Sequence, residues 1–300
     1  KMKEVEFKTV CTSRPITATQ AAKRWGFQYA TTDPDKVIED PDIDAVFIAT
    51  RHDTHAPFAA RALETGKYVF VEKPLAINEE QLEMIIKAWE RNPGRLMVGF
   101  NRRYAPLILE AQKILQNRLE PLVILIRVNA GYITLDHWIF DPKQGGGRII
   151  SEICHFVDLA YSLTRSPIVH TLSLNIRHEK YHFTDNVSIT LKHLDESIST
   201  IVYASCGSRK FPREYIEIFG DKRVIVIDNF KKLIVKGDKK SFKISRLNVD
   251  RGHFNQLRRF CKYVMENSRF PENINDYAHV TLVTFKIMKD ILNISNLIHI

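Results

Sequence analysis

The first hundred residues alternate short apolar runs with segments in which apolar side chains recur every three or four positions. The run at 45–49 is unbroken, as expected for a parallel strand that is covered on both faces. The segment from Ile16 to Trp25 has helical spacing, and Gly26 is expected to end that helix. This alternation predicts right-handed βαβ units and an open parallel sheet.

Further strands and helices are predicted on both sides of that run. The strands are expected at 5–10, 68–71 and 96–100. Helical spacing from Phe58 predicts a helix that Gly66 closes. Asn78 is expected to cap another helix, because Gln81 follows it three residues later.

Polar residues follow three of the predicted strands. They occupy Thr50–His55, Glu72–Pro74 and Asn101–Tyr104. Parallel strands bring their carboxyl ends to one edge of the sheet, and open α/β sheets bind ligands at that edge. One such cluster alone would be an ordinary polar loop, whereas three at the same edge predict a binding site.

The pattern changes after Tyr104. A helix is predicted from Pro106 to Leu115 and a long strand from Leu122 to Val128. Between 168 and 244 the apolar residues alternate with polar ones, which predicts a mixed or antiparallel sheet with one covered face. Two helices, at about 251–267 and 276–294, follow. The fold class is therefore α/β, with a Rossmann-like parallel sheet over 1–104 and an α+β domain over 105–300.

Composition narrows the classes of protein. The chain has 300 residues, 44% of them hydrophobic, and no apolar run near the roughly 18 residues of a membrane helix. The four cysteines are far apart, so neither a zinc site nor a redox pair is predicted. We expect a globular cytoplasmic protein with reduced thiols, no bound metal and no membrane partner.

The formal net charge of +9 raises the alternative of an acidic partner. Between Arg209 and Arg246 there are twelve Lys or Arg residues and five acids, interleaved with aliphatic residues on predicted strands. Nucleic-acid binding needs aromatic platforms or a recognition helix beside such charge. Neither is present there, so we interpret the segment as solvated strand faces and expect no nucleic-acid partner.

A predicted helix from Ile149 to Leu163 carries further candidate chemistry. Ser151, His155 and Asp158 fall at i, i+4 and i+7, so they share one face, and Glu152 lies one turn before His155. The glycines at 145–147 are expected to leave room for a ligand near the start of the helix. Taken alone, a histidine on an apolar helix is more often a packed core residue than a functional one.

At these residues the chain resembles the dehydrogenase family typified by glucose-fructose oxidoreductase and inositol 2-dehydrogenase. The family's first domain has a strand, a Thr, a His a few residues on, and then A-x-x-A-G-K-x-V-x-x-E-K-P. This chain has Ala49-Thr50, His55, the stretch from Ala59 to Val69, and Glu72-Lys73-Pro74. The similarity runs from about Val5 to past Asp158.

The resemblance implies hydride transfer between a nicotinamide and the carbinol carbon of a sugar, polyol or nucleotide sugar. It assigns Lys73, His155 and the neighbouring Glu152 to proton handling. The substrate would contact Lys73, Arg103, Tyr104, Ser151, His155 and Asp158. The cofactor would contact Thr12, Ser13, Arg14, Thr50, His52, His55, Glu72, Lys73, Pro74, Asn101, Arg102 and Trp138. The resemblance also implies a cis Lys73-Pro74 bond and a homo-oligomer formed through the open face of the second sheet.

The chain departs from the family pattern in two places. It has no strand followed by G-x-G-x-x-G, the turn that binds a pyrophosphate, so its first strand corresponds to the family's second. We expect a longer natural protein, or else a rearranged sheet with impaired cofactor binding. Ser151 stands where the family has an aspartate, so the pKa of His155 is expected nearer its free value of about 6.5 than if an aspartate stood there. Both departures favour the alternative of a non-catalytic ligand-sensing module, or of the C-terminal part of a larger fusion oxidoreductase.

Cofactor choice depends on the end of the family's second strand, where an acid binds the ribose hydroxyls. Here the stretch is Cys11-Thr12-Ser13-Arg14, without an acid. Arg14 can pair with a 2′-phosphate and Ser13 can donate to it. The sequence therefore favours NADP over NAD.

Overall fold

The computed structural model describes residues 4–238 and 241–294. Its first part contains the strands β1 (Thr9–Cys11), β2 (Tyr29–Thr31), β3 (Ala45–Ile48), β4 (Tyr68–Val71) and β5 (Leu96–Val98). They alternate with the helices α1 (Pro15–Trp25), α2 (Asp35–Ile38), α3 (His55–Glu64) and α4 (Glu79–Arg91). Gly26 ends α1 in a left-handed conformation, with φ of 80°. Asn78 caps α4 by accepting a 2.9 Å hydrogen bond from the backbone N–H of Gln81. Both predictions are confirmed.

The parallel sheet is divided. β1 pairs only with β2, and β3, β4 and β5 form a separate three-stranded parallel sheet. No ladder joins β1 to β3 among the described residues. In the strand order 3-2-1-4-5-6 of dinucleotide-binding folds, the first strand, which has no counterpart in this sequence, would lie between them. Ion pairs help to connect the two halves: Lys8 lies 3.1 Å from Asp40 and 2.9 Å from Asp42.

The second part is built on one large sheet. Its strands are β6 (Val123–Asn129), β7 (Ile168–Asn175), β8 (Val187–His193), β9 (Ile198–Ala204), β10 (Glu214–Gly220), β11 (Arg223–Asp228), β12 (Lys232–Gly237) and β13 (Phe242–Ser245). The order is β13-β12-β11-β10-β6-β9-β8-β7, and all neighbours are antiparallel except β6 and β9. The helices are α5 (Pro106–Leu115), α6 (Cys154–Thr164), α7 (His253–Met265) and α8 (Ile274–Ile294). The predicted mixed sheet is confirmed.

One face of this sheet is covered and the other is open. Along β6, Ile124, Ile126 and Val128 are buried, whereas Val123 and Leu125 are exposed. The alternation follows from the two-residue period of a strand, which sends successive side chains to opposite faces. The covered face joins the helices and the parallel sheet in one apolar cluster.

Helix α7 packs against the first part of the chain although it lies far beyond residue 104. Phe260 contacts Phe47 and Phe70 with ring centroids 4.9 and 5.7 Å apart. Gln256 also donates a 2.7 Å hydrogen bond to the carbonyl of Val98, at the end of β5. Helix α8 also contacts α4, so later helices pack across the predicted boundary at 104.

Within the described ranges, no helix is both long enough and apolar enough to cross a membrane. The four cysteines are free thiols, as the sequence predicts.

Candidate active site

A cavity of about 250 Å³ lies at the carboxyl edge of β3 and β4, against the start of α6. It is lined by His52, Lys73, Arg102, Ile139, Ser151, Glu152, His155, Phe156 and Arg213. Small-molecule pockets usually span roughly 300–1,000 Å³, so this cavity has room for one small ligand or for part of a larger one. Six parts of the chain that are far apart in sequence thus meet at one polar site.

Lys73 enters the cavity from the turn after β4. The Lys73-Pro74 peptide bond is cis, which confirms the sequence prediction. The Lys73 ammonium donates a 2.8 Å hydrogen bond to the backbone carbonyl of Ser151. This contact joins the two candidate segments directly.

His55 braces the turn that carries Lys73. Its Nδ1 lies 2.8 Å from the carbonyl of Pro74 and its Nε2 lies 3.1 Å from the carbonyl of Thr50. The ring is 1% exposed, and burial lowers the pKa of His55. With both nitrogens facing backbone carbonyls, the ring has none left for a cofactor, so the predicted cofactor contact of His55 is corrected to a structural one.

The helix predicted over 149–163 begins with a π turn at Ile149–Ile153 and becomes α-helical only at Cys154. A π turn breaks the i, i+4, i+7 spacing on which the predicted common face rests. Ser151 and His155 still line the cavity. Asp158 does not, which corrects its assignment to the substrate site.

Two buried polar atoms in this cavity lack partners. Neither Ser151 Oγ nor His155 Nδ1 has a hydrogen bond. Burial, followed by the charges of Arg102 and Lys73, lowers the pKa of His155 well below its ordinary value. The sequence-based comparison considered the missing aspartate and not burial, which is the largest cause of the lowered pKa of His155. At neutral pH the His155 ring is therefore neutral and can accept a proton. Because Ser151 Oγ and His155 Nδ1 are buried without a partner, a ligand that forms hydrogen bonds with them is favoured.

Glu152 is held in place at the same cavity. It accepts hydrogen bonds from the hydroxyl of Tyr203 at 2.8 Å and from Arg213 at 3.0 Å. Arg213 was not among the predicted site residues, because the basic segment after residue 209 was interpreted as solvated strand faces. That interpretation is corrected for Arg213, which reaches the cavity from just before β10.

Arg102 lines the cavity, but its guanidinium is already bound. It makes two hydrogen bonds, of 2.7 and 3.1 Å, to the buried carboxylate of Glu214. Arg251 binds the same carboxylate at 2.7 Å. Although burial opposes it, these two arginines hold the pKa of Glu214 below its ordinary value. Arg102 therefore lines the cavity, but the carboxylate of Glu214 neutralises its charge.

Arg103 and Tyr104 were predicted to bind substrate, and the structure places them elsewhere. Arg103 pairs with the fully buried carboxylate of Asp158, with Nε 3.0 Å from Oδ2. The Tyr104 hydroxyl donates a 2.9 Å hydrogen bond to Glu272. Both residues line a different cavity, since successive residues of the short helical turn at Asn101–Tyr104 project to different sides.

The remaining predicted cofactor residues lie at strand ends or beside the cavity. Ser13 and Arg14 are exposed directly after β1, and their side chains make no hydrogen bond in the described structure. The ring of Trp138 lies 4.9 Å from that of His52. Asn101 is buried, and its amide nitrogen donates to the carbonyl of Arg251 at 2.7 Å. Its contact with the cofactor stays a prediction. Thr12, Thr50 and Glu72 lie at the ends of β1, β3 and β4. Ser13 and Arg14 offer hydrogen-bond donors at the end of β1, and the indole of Trp138 offers a flat surface beside the cavity. Both features suit a dinucleotide.

The glycines at 145–147 serve the chain itself rather than a ligand. A Cβ on Gly145 would lie 2.2 Å from the carbonyl oxygen of Ile139, and Gly146 and Gly147 have φ of 73° and 75°. Side chains are strongly disfavoured in such places. The expectation that these glycines leave room for a ligand is corrected accordingly.

His52 makes stability depend on pH. It is 8% exposed, and burial lowers its pKa to about 4, although Nδ1 lies 3.1 Å from the carbonyl of Gly145. Between pH 6.5 and 4 the unfolded chain then binds more protons than the folded one, so acid destabilises the fold. We expect His52 alone to remove about 2 kcal/mol from the free energy of unfolding between pH 7.5 and pH 5.

This effect is measured by urea unfolding at the two pH values. His52→Gln should reduce the loss at pH 5 by about 2 kcal/mol. His170→Gln, at an exposed histidine of β7, is the matched control and should leave the loss unchanged. An equal loss in wild type and His52→Gln would contradict the assignment.

Comparison with known proteins places the chain in a family. The family model for oxidoreductases with an NAD-binding Rossmann fold matches residues 1–100, and the GFO/IDH/MocA C-terminal domain matches residues 120–226. Together these matches cover more than half of the chain. The chain therefore belongs to the Gfo/Idh/MocA family of oxidoreductases, as its motifs predicted.

Individual relatives are dehydrogenases of sugars and polyols. The chain is 31% identical to levoglucosan dehydrogenase of Pseudarthrobacter phenanthrenivorans over 51% of this chain and 41% of that protein. It is 37% identical to scyllo-inositol 2-dehydrogenase (NAD(+)) of Bacillus subtilis over 35% of this chain and 32% of that protein. The matches thus span less than half the length of these two relatives.

The fold is shared with solved structures. Levoglucosan dehydrogenase in complex with NADH and levoglucosan superposes with a TM-score of 0.83 at 21% identity, over 96% of this chain and 88% of that one. This similarity confirms the predicted α/β fold class.

Proposed function

We propose that this protein is an NAD(P)-dependent dehydrogenase that oxidises a hydroxyl group of a sugar or polyol. The observation that carries the proposal is the small polar cavity in which Lys73 meets the unpaired Ser151 Oγ and His155 Nδ1. A ligand hydroxyl can donate one hydrogen bond and accept others, so it suits this mixture of donors and acceptors. The named sugar and inositol dehydrogenases among the relatives support the same substrate class.

Each residue of the cavity has a distinct task in the proposed reaction. The ammonium of Lys73 binds the substrate oxygen and stabilises the negative charge that develops on it. The neutral ring of His155 accepts the hydroxyl proton, and the charges of Arg102 and Lys73 then favour its release to water. A nicotinamide bound beside the cavity would supply the hydride acceptor. Glu152, fixed by Tyr203 and Arg213, is placed to accept a hydrogen bond from a second substrate hydroxyl.

The cofactor would lie along the carboxyl edge of the parallel strands, from Ser13 and Arg14 at β1 to His52 and Trp138 at the cavity. We propose that Arg14 pairs with a 2′-phosphate, so NADPH should bind more tightly than NADH. A charge-assisted hydrogen bond contributes about 1.5–3 kcal/mol, so Arg14→Gln should weaken NADPH by about 10- to 100-fold and NADH little. Titration of nicotinamide fluorescence measures both constants.

Arg24→Gln is the matched control, because Arg24 is also exposed on α1 but lies over the ring of Trp25 near the other end of the helix. It should change neither constant. Tighter binding of NADH than of NADPH to the unmodified protein would overturn the proposed preference for NADP.

Turnover is tested with levoglucosan and inositols as probes, by following the absorbance of the reduced nicotinamide. Oxidation of any sugar or polyol supports the proposal. Ser151, which replaces the family's aspartate, favours a second candidate, a ligand-sensing module that binds cofactor without turnover. Cofactor binding with no oxidation of any sugar or polyol would support this second candidate.

The same proposal covers the domains and the assembly. Residues 1–104 would bind the dinucleotide, and residues 105–300 would bind the substrate and form the oligomer. The open face of the large sheet exposes Leu125, Leu172, Leu174 and Val202, an apolar surface that a second copy could cover in a dimer. The free thiols accord with the cytoplasm as the compartment.

A further inference from the structure

A second cavity, of about 1200 Å³, lies among α5, α6, α7 and the start of α8. We call it the basic cavity, and its wall includes Arg103, Arg165, Arg258, Arg259, Lys262 and Glu272. None of its lining residues lines the candidate active site. Its volume slightly exceeds the roughly 300–1,000 Å³ of ordinary small-molecule pockets, so it has room for a small ligand.

The charges in the basic cavity do not balance. Five cationic side chains face three acidic ones, and the acids at the centre are already bound. Glu272 accepts from Arg259 at 3.0 Å and from Tyr104 at 2.9 Å, while Asp276 accepts from Tyr161 at 2.6 Å. Arg165 and Arg258 have no ion pair within the described part of the chain, so two guanidinium groups remain for an anion.

Three of the cationic side chains of the basic cavity lie on helix α7. Its apolar face, with Phe260 and Cys261, packs on the parallel sheet. Arg258, Arg259 and Lys262 lie on the opposite side, at helical spacings of three and four. The sheet thus fixes α7 with its basic side toward the cavity.

Arg165 joins these cations from the end of α6. Its backbone is left-handed, with φ of 55°, a conformation that glycine adopts at far lower cost. The side chain is exposed and lines the basic cavity.

One acceptor in the basic cavity has no partner. Glu272 Oε2 is buried without a hydrogen bond, although Oε1 of the same carboxylate is bound twice. A buried carboxylate oxygen requires a donor, and a ligand hydroxyl can supply it. The ligand should therefore carry both an anionic group and a hydroxyl group.

We propose that the basic cavity binds a small organic phosphate that also bears hydroxyl groups, such as a polyol phosphate. The phosphate would pair with Arg165 and Arg258, whose planar groups match phosphate oxygens in pairs. A hydroxyl would donate to Glu272 Oε2. The site is separate from the proposed dehydrogenase site and does not depend on that function.

The test is isothermal titration of the full chain, at low ionic strength, with sorbitol 6-phosphate, inorganic phosphate and sorbitol. Sorbitol 6-phosphate should bind about 10-fold or more tightly than inorganic phosphate, and Arg258→Gln should not weaken any binding of sorbitol, which lacks the phosphate. Arg258→Gln should weaken sorbitol 6-phosphate by about 10- to 100-fold. Arg246→Gln, at an exposed arginine just after β13, is the matched control and should leave the affinity within about twofold.

Two further variants distinguish the basic cavity from other anion sites. Lys73→Met tests the candidate active site, and Arg14→Gln tests the predicted cofactor site. Neither should change the affinity for sorbitol 6-phosphate. The proposal is overturned if sorbitol 6-phosphate does not bind at millimolar concentration, if Arg258→Gln binds it normally, or if either of these variants abolishes binding.

Discussion

Replacement of Lys73 by Met should lower kcat/KM for the sugar or polyol substrate by about 10³-fold, because the loss of one group that stabilises charge in the transition state costs about 10²- to 10³-fold. The reason is that Lys73 supplies the one cation of the cavity that no carboxylate binds in the described structure. Its ammonium is instead held by the carbonyl of Ser151 at 2.8 Å. Methionine keeps the length of the side chain and removes the charge. Steady-state rates measure the loss, and cofactor fluorescence should still titrate normally.

Lys87→Met is the control for this substitution. Lys87 pairs with Glu83 on the exposed side of α4, so the same chemical change there should leave the rate unaltered. A Lys73→Met protein that retains more than about a tenth of the activity would show that another group stabilises the charge on the substrate oxygen. His155 would then be the first residue to test.

Replacement of Arg148 by Met should lower the free energy of unfolding by about 3–5 kcal/mol, the usual cost of leaving a buried charge unpaired. Arg148 is 1% exposed and lies 3.0 Å from Asp185, which is fully buried. It also donates to the hydroxyl of Tyr203 at 2.9 Å and to the carbonyl of Gly131 at 2.8 Å. Without the guanidinium, all three acceptors lose their partner. Urea unfolding at pH 7.5 measures the change.

The double variant Arg148→Met/Asp185→Asn separates charge from packing. Removal of both charges should restore part of the stability, because no unpaired carboxylate remains. Lys87→Met again supplies the surface reference, where the loss should be about 0–1 kcal/mol. If Arg148→Met costs no more than this reference, the buried pair does not stabilise the fold.

Arg148 also affects the candidate active site. The Tyr203 hydroxyl, which accepts from Arg148, donates to Glu152 at 2.8 Å. The buried pair therefore positions the carboxylate in the cavity through one intervening side chain. A moderate loss of activity in Arg148→Met, beyond what unfolding explains, is expected for this reason.

The local elements, and Lys73 as a candidate site residue, could be predicted from the amino-acid sequence. Helix α1 and its end at Gly26, the cap at Asn78, and the alternating burial along β6 all follow from interactions between residues close in the chain. Such interactions are encoded by periodicity and by capping side chains. The E-K-P motif also identified Lys73, and the family resemblance that it carries implied the cis bond.

The partners of the charged groups, in contrast, are known from the tertiary structure alone. Arg103 was expected at the substrate, yet it pairs with Asp158, which is 55 residues away. Arg213 was expected on a solvated strand face, yet it binds Glu152 in the cavity. The pKa of His155 departs from its free value because burial and the charge of Arg102 act on it. Ion pairing and desolvation depend on distances between segments remote in sequence, and no local pattern contains those distances.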